Sequence, residues 1–118
     1  MNISREDLLH LYTSHFCEEN IYNLTTTLLN QFNNVKMKVV FISSKKQVTP
    51  FWNQRLCKDG LPIFWDYHVV LLMINKDNDD KLIYDFDTNL SFPNNAKEYC
   101  NKSFNPSEDE DPIVLNGF

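Results

Sequence analysis

Residues able to do nucleophilic acyl chemistry stand at three places in this chain. Cys17 opens a stretch with helical periodicity. His68 lies inside the apolar run Leu61–Ile74. Asp85 and Asp87 sit two positions apart in the β-rich run that follows. A cysteine at a helix N-terminus gains thiolate character from the positive end of the helix, and a neighbouring imidazolium adds to it. The free N–H groups of the same first turn can hold an oxyanion. A carboxylate that fixes the imidazole tautomer completes a site suited to acyl transfer from an amide.

The hairpin that would carry the histidine and carboxylates has two registers. Strand side chains alternate faces, so Asp66 and His68 share one face of the expected strand Phe64–Ile74, and Asp85 and Asp87 share a face of its partner Leu82–Asp87. A turn of Asn75–Asn78 pairs Ile74 with Asp79 and sets His68 opposite Asp85. A turn two residues longer sets His68 opposite Asp87, with Asp85 diagonal. Directly opposed residues have Cβ atoms about 4.5–5.5 Å apart, within reach of an imidazole–carboxylate hydrogen bond. Geometry slightly favours Asp85 and leaves Asp87 open. Structural readings stand beside this one: Cys17 packed in a core, His68 a satisfied buried histidine, and the two aspartates capping a strand end.

The elements that position these groups follow from periodicity. Residues 2–12 suit a short helix capped by Ser4. From His15 to Phe32, Cys17, Ile21, Leu24, Leu28 and Phe32 fall on one helical face, with Glu18 and Glu19 in the first turn and Asn33–Asn34 as the stop. Met37–Ser43 reads as a strand. Ser44–Gly60 reads as a connection whose Phe51 and Trp52 pack on the body. Phe64–Ile74 is apolar on both faces and therefore central or covered. Asn101–Pro112 is acidic and bracketed by prolines, which predicts a flexible loop. Ile113–Leu115 is a strand fragment.

Length and charge narrow the class. The 118 residues fit a single domain, 1–118, and 42% hydrophobic content supplies a core. Lys+Arg 11 against Asp+Glu 16 gives a net charge of −5, which argues against a phosphate-binding surface and so against nucleic acid. Cys17, Cys57 and Cys100 form no CxxC, and His10, His15 and Cys17 lack a shared ligand spacing, so neither a metal nor another cofactor is expected. No apolar run is long enough to span a membrane, and the N-terminus lacks a signal-peptide pattern. A cytoplasmic monomer, also able to enter the nucleus, is the expectation.

Four blocks give the chain a resemblance. They are Cys17-Glu18-Glu19-Asn20-Ile21-Tyr22-Asn23-Leu24; Val40-Phe41-Ile42-Ser43 continuing to Pro50-Phe51-Trp52-Asn53-Gln54; Gly60-Leu61-Pro62-Ile63-Phe64-Trp65-Asp66-Tyr67-His68-Val69-Val70-Leu71-Leu72; and Ile83-Tyr84-Asp85-Phe86-Asp87-Thr88-Asn89-Leu90-Ser91-Phe92-Pro93. Together they resemble the protein N-terminal glutamine amidohydrolases, in family order, over about Tyr12 to Tyr99. The resemblance implies an α+β, papain/transglutaminase-like fold with N-terminal helices on an antiparallel sheet. It puts the catalytic cysteine on Cys17, the histidine on His68 and the aspartate on Asp85, and with them the shorter hairpin turn. It implies deamidation of N-terminal glutamine to glutamate with loss of ammonia, in the N-degron pathway, on protein or peptide substrates. Glu18, Asp66 and Asp87 are the candidates for holding the substrate α-amine. Family members continue beyond the Tyr-Asp-x-Asp-Thr block, and Ile113–Phe118 resembles none of those later segments. A shortened fold is therefore expected, with one face of the Phe64–Ile74 strand left bare. The alternative function is a binding module for protein N-termini with little or no turnover.

Overall fold

The computed structural model describes residues 17–46, 48–104 and 113–117, with side chains for 18–46 and 48–104. The expected helix over 2–12, His10 and His15, and residues 105–112 of the expected acidic loop lie outside the described residues.

The first described helix, α1 (Cys17–Leu29), forms where periodicity placed it. Ile21, Leu24 and Leu28 make one stripe, buried against the sheet, and Glu18 and Glu19 occupy the first turn. A run of three threonines is a poor helix former. Here each Thr25, Thr26 and Thr27 hydroxyl donates to the carbonyl four residues back, at 2.8, 3.1 and 3.0 Å. The helix stops at Leu29 rather than Phe32. Asn30 and Gln31 donate to carbonyls three residues back, tightening the last turn. Asn34, at φ 58, then turns the chain into the sheet.

Strands β1 (Val35–Ser44), β4 (His68–Asn75), β5 (Lys81–Tyr84), β6 (Asn94–Asn95) and β7 (Ile113–Gly117) form one sheet in the order β6-β5-β4-β1-β7. Its pairs are antiparallel. Strands β2 (Thr49–Phe51) and β3 (Ile63–Trp65) form a separate ribbon. The second described helix, α2 (Ala96–Ser103), follows β6 directly. The chain is thus α+β, with an antiparallel sheet and two described helices.

Three expectations are corrected. The run Phe64–Ile74 is not one strand. Ile63–Trp65 pairs with Thr49–Phe51, the chain bends at Asp66–Tyr67, and the sheet strand begins at His68. Asp66 and His68 therefore do not share a strand face. The hairpin also takes the longer turn, with Ile74 opposite Lys81 and Leu71 opposite Tyr84. Asn75 and Asn78 build that turn: their side-chain oxygens accept from the N–H of Asp77 and Asp80 at 2.8 and 3.0 Å, and Asp79 takes φ 64.

The third correction concerns cover. Val69, Leu71 and Met73 of β4 face α1, together with Tyr84 and Phe86. Val70 faces Val40, Ile42, Phe51, Ile83 and Tyr99 on the opposite side, where Cys100 and Phe104 also pack. The face toward α1 is closed, while the opposite face is covered at His68 and Val70 but leaves Leu72 and Ile74 half-buried, Leu72 lining a hollow of about 270 Å³ with Val40, Ile83 and Phe104. Residues 101–103, expected to begin the loop, are instead the last turn of α2. The fragment Ile113–Leu115 extends to Gly117 and pairs with β1.

Candidate active site

His68 is the first residue of β4, opposite Ile42 of β1, and is completely buried. Its ring lies flat against Trp65, with centroids 4.9 Å apart and planes at 11°, and meets the Phe51 ring at 5.1 Å and 75°. The bend at 66–67 explains the stacking: β3 turns Trp65 back over the strand that follows it. An imidazolium stacked on the Trp65 indole gains a cation–π contribution.

Asp85 comes directly after β5. In the observed register it is diagonal to His68, and its Oδ1 still lies 2.9 Å from His68 Nε2. Strand β5 has ended at Tyr84, so the carboxylate is free of the ladder and swings to the histidine. The register expected for this pair is wrong while the pair itself forms. Asp85 Oδ1 also accepts from the Asp87 N–H at 2.9 Å. Asp85 Oδ2 accepts from the Tyr99 hydroxyl at 2.6 Å and from Gln54 Nε2 at 3.1 Å.

This crowd of donors decides the ionisation state. Burial alone would push the Asp85 carboxyl up. The His68 charge and hydrogen bond, the Tyr99 hydroxyl and the Asp87 N–H outweigh it, lowering the group from 3.8 to about 2. An ionised carboxylate only accepts, so Nε2 of His68 carries a proton. In the neutral ring the basic lone pair is then on Nδ1, at the edge away from Asp85.

The depressed value carries a stability consequence. The folded-state value lies below the unfolded one, so the contribution is fully present above about pH 4. It is lost as pH falls through about 2. The shift amounts to roughly 2 kcal/mol. Urea unfolding between pH 5 and pH 2 should show this loss in excess of that seen in Asp85→Asn. Equal losses in the two proteins would contradict it.

Gln54 and Tyr99 were not singled out from the sequence. Gln54 sits in the connection 44–60, which zips onto the turn after Asp85. Arg55 N donates to Asp87 O at 2.7 Å, Asn89 N donates to Asn53 O at 2.7 Å, and Gln54 bridges Thr88. The carboxylate also settles the orientation of the Gln54 amide, since only its nitrogen can face an acceptor. Tyr99 lies on α2, whose start is set by Asn95: its side-chain oxygen accepts from Lys97 N and Glu98 N at 3.0 and 3.2 Å. An Asn followed three residues later by Glu is a helix-start signature that could have found this helix.

The remaining candidates are placed unevenly. Cys17 is the first residue of α1. Its neighbour Glu18 accepts a hydrogen bond from Tyr67, the residue before His68. Tyr67 also stacks on Phe41 at 5.7 Å. The start of α1 is thereby tied to the start of β4. Beside this tie is a hollow of about 410 Å³ lined by Glu18, Glu19, Tyr22, Val39, Phe41 and Val69. Asp66 is exposed at the bend. Asp87 is half-buried, and its ligand atoms lie within 4.8 Å of those of His68 and Asp85. A cation there would have to displace the His68, Asp87, Gln54 and Tyr99 donors from Asp85, so the cluster suits an orienting carboxylate better than a metal cage.

The family model described as N-terminal glutamine amidase matches residues 12–118, further than the motif blocks reached. The protein N-terminal glutamine amidohydrolase of Bos taurus is 38% identical over 110 residues, 92% of this chain and 53% of its own length. Those of Danio rerio and Arabidopsis thaliana are 38% and 36% identical, covering 80% and 81% of this chain and 47% and 46% of their own lengths. The chain therefore spans about half the length of these curated relatives. The match over residues 12–118, together with these identities, establishes that the chain belongs to the N-terminal glutamine amidase family.

Proposed function

We propose that this chain deamidates N-terminal glutamine of proteins and peptides, with Cys17 as nucleophile, His68 as proton carrier and Asp85 as orienting carboxylate. The observation that supports it best is the buried His68–Asp85 hydrogen bond of 2.9 Å to a carboxylate held ionised. It leaves Nδ1 as the nitrogen that exchanges protons.

The steps follow from these groups. The Cys17 thiolate attacks the side-chain carboxamide carbon, and N–H groups of the first turn of α1 receive the oxyanion. The His68 imidazolium gives its Nδ1 proton to the departing nitrogen, which leaves as ammonia, and a thioester remains. Water attacks the thioester while Nδ1 takes its proton. Collapse breaks the carbon–sulfur bond, releasing glutamate and restoring thiolate and imidazolium. Of Glu18, Asp66 and Asp87, Glu18 is the best placed to meet a free α-amine, because it lines the hollow beside the start of α1.

The reading extends to a papain/transglutaminase-like arrangement, with the nucleophile at the head of a helix packed on the sheet that carries the histidine. It also takes in a place in the N-degron pathway and a monomer acting in the cytoplasm or nucleus. Its test is incubation with a peptide beginning in Gln. Glutamate and ammonia should form with time, and the α-acetylated peptide should remain unchanged. A folded protein that forms no glutamate at high concentration would refute it. The same peptides separate a second reading, a binding module for protein N-termini without turnover. In that case the free-amine peptide binds more tightly than its acetylated form and neither is converted.

A further inference from the structure

We propose that Tyr99 and Gln54 are positioning residues: two donors on Asp85 Oδ2 that hold the carboxylate in the orientation from which Oδ1 fixes His68. The inference rests on the Cys17–His68–Asp85 reading for its meaning, but not for its test.

The two oxygens of Asp85 are divided between two sets of partners. Oδ1 serves His68 and the backbone of Asp87, and Oδ2 serves Tyr99 and Gln54. A carboxylate at a strand end, outside the ladder, could otherwise rotate about its last bond. Donors on both oxygens remove that freedom, and each comes from a different part of the chain. Gln54 is delivered by the segment 53–55 bridged to 87–89. Tyr99 is delivered by α2, which begins where β6 pairs with β5. The two deliveries are themselves joined, since Trp52 N donates to Ser103 O at 2.8 Å and Asn53 Nδ2 to Lys102 O at 2.7 Å.

The choice of residue types supports a polar role over mere filling. Tyr99 and Gln54 are buried to 1% and 0% exposure, and burying a hydroxyl or amide without a partner is costly. A phenylalanine or a leucine would fill the same space without that cost. Burial, followed by the adjacent Asp85 charge, keeps the Tyr99 phenol protonated far above its usual range, so it remains a donor. The titratable groups around Asp85 are His68 from β4, Tyr99 and, beside it on α2, Cys100, and Asp87 from the turn. Arg55 contributes its backbone N–H to Asp87 and its guanidinium to the Phe86 carbonyl at 3.4 Å.

Removing one donor makes the carboxylate more basic and a stronger partner for the imidazolium. The His68 titration should therefore move upward. Long-range ¹H–¹⁵N spectra of the whole chain can follow the His68 ring, assigned by its loss in His68→Gln. Tyr99→Phe should raise the His68 midpoint by about 0.3 pH unit or more, and Gln54→Met should shift it in the same direction. Where turnover is measurable, kcat should fall about tenfold with KM unchanged within about twofold. A His68 midpoint that stays put in a folded Tyr99→Phe would overturn the proposal. If Tyr99→Phe does not fold, Gln54→Met decides by the same criterion, and unfolding of both would mark these residues as structural only. The titration needs no turnover, so an inactive wild-type chain would refute the proposed reaction and leave the positioning test intact.

Discussion

Asp85→Asn should lower kcat by about 10³–10⁴ while leaving KM for an N-terminal-glutamine peptide nearly unchanged. The reason is a count of donors. His68, Asp87, Tyr99 and Gln54 all aim a hydrogen at the Asp85 carboxylate. Asparagine offers one acceptor oxygen and two donor hydrogens in the same space. If its oxygen faces His68 and Asp87, its amide faces the Gln54 amide and the Tyr99 hydroxyl. Tyr99 can turn to accept, but Gln54 must flip or leave. If its amide faces His68, it collides with the Asp87 N–H and forces the proton from Nε2 to Nδ1. In either case the imidazolium loses its charged partner, and in the second the neutral ring has the wrong tautomer. The backbone should remain folded, which circular dichroism at neutral pH would check. Wild-type turnover in a folded Asp85→Asn would remove Asp85 from the mechanism.

The His68–Asp85 pair was legible in the sequence, while the path by which the chain joins it was not. Residue types and alternation brought His68 into reach of Asp85 or Asp87, and that much stands. Direct opposition of His68 and Asp85 points to the shorter turn. The chain takes the longer turn, where Asn75 and Asn78 cap backbone N–H groups, and reaches the same pair diagonally. Direct opposition is sufficient for a contact across a hairpin but not necessary where one strand ends early. Alternation also failed at Asp66. An apolar run of this length gives no internal mark of a change of partner, and the switch from the β2–β3 ribbon to the main sheet lies in pairing with Thr49–Phe51.

Helix α2 was missed for a different reason. Its residues, Ala96 to Ser103, are mostly polar, and only Tyr99 and Ser103 among them are buried. A helix that lays a narrow stripe on a sheet edge carries little periodicity. Its start was nevertheless written in Asn95 and Glu98. With it went the phenol that holds Asp85. Donors to a buried carboxylate come from wherever the fold delivers them, and no spacing rule connects positions 54, 85 and 99.

Leu28→Ala should destabilise the protein by about 3 kcal/mol, and the change next to it, Leu29→Ala, by less than about 0.5 kcal/mol. The two leucines are chemically identical neighbours in the last turn of α1. Leu28 is fully buried and Leu29 is 56% exposed. Removing Leu28 leaves a cavity in the layer it fills with Ile21, Leu24, Val69, Leu71, Met73, Tyr84 and Phe86. Such close-packed surroundings collapse only in part, so the loss exceeds simple transfer of the missing atoms. Leucine and alanine are both good helix formers, so helix propensity cannot produce the difference. Thermal melts should separate the variants by roughly 10 °C. The contrast bears on function because this stripe is what fastens α1 to β4. The same contact holds α1, the helix that opens with Cys17, on the strand that begins with His68. Activity in Leu28→Ala should therefore fail at a lower temperature than in Leu29→Ala, in step with its melt. Equal losses from the two substitutions would mean that α1 is not held to the sheet by this face.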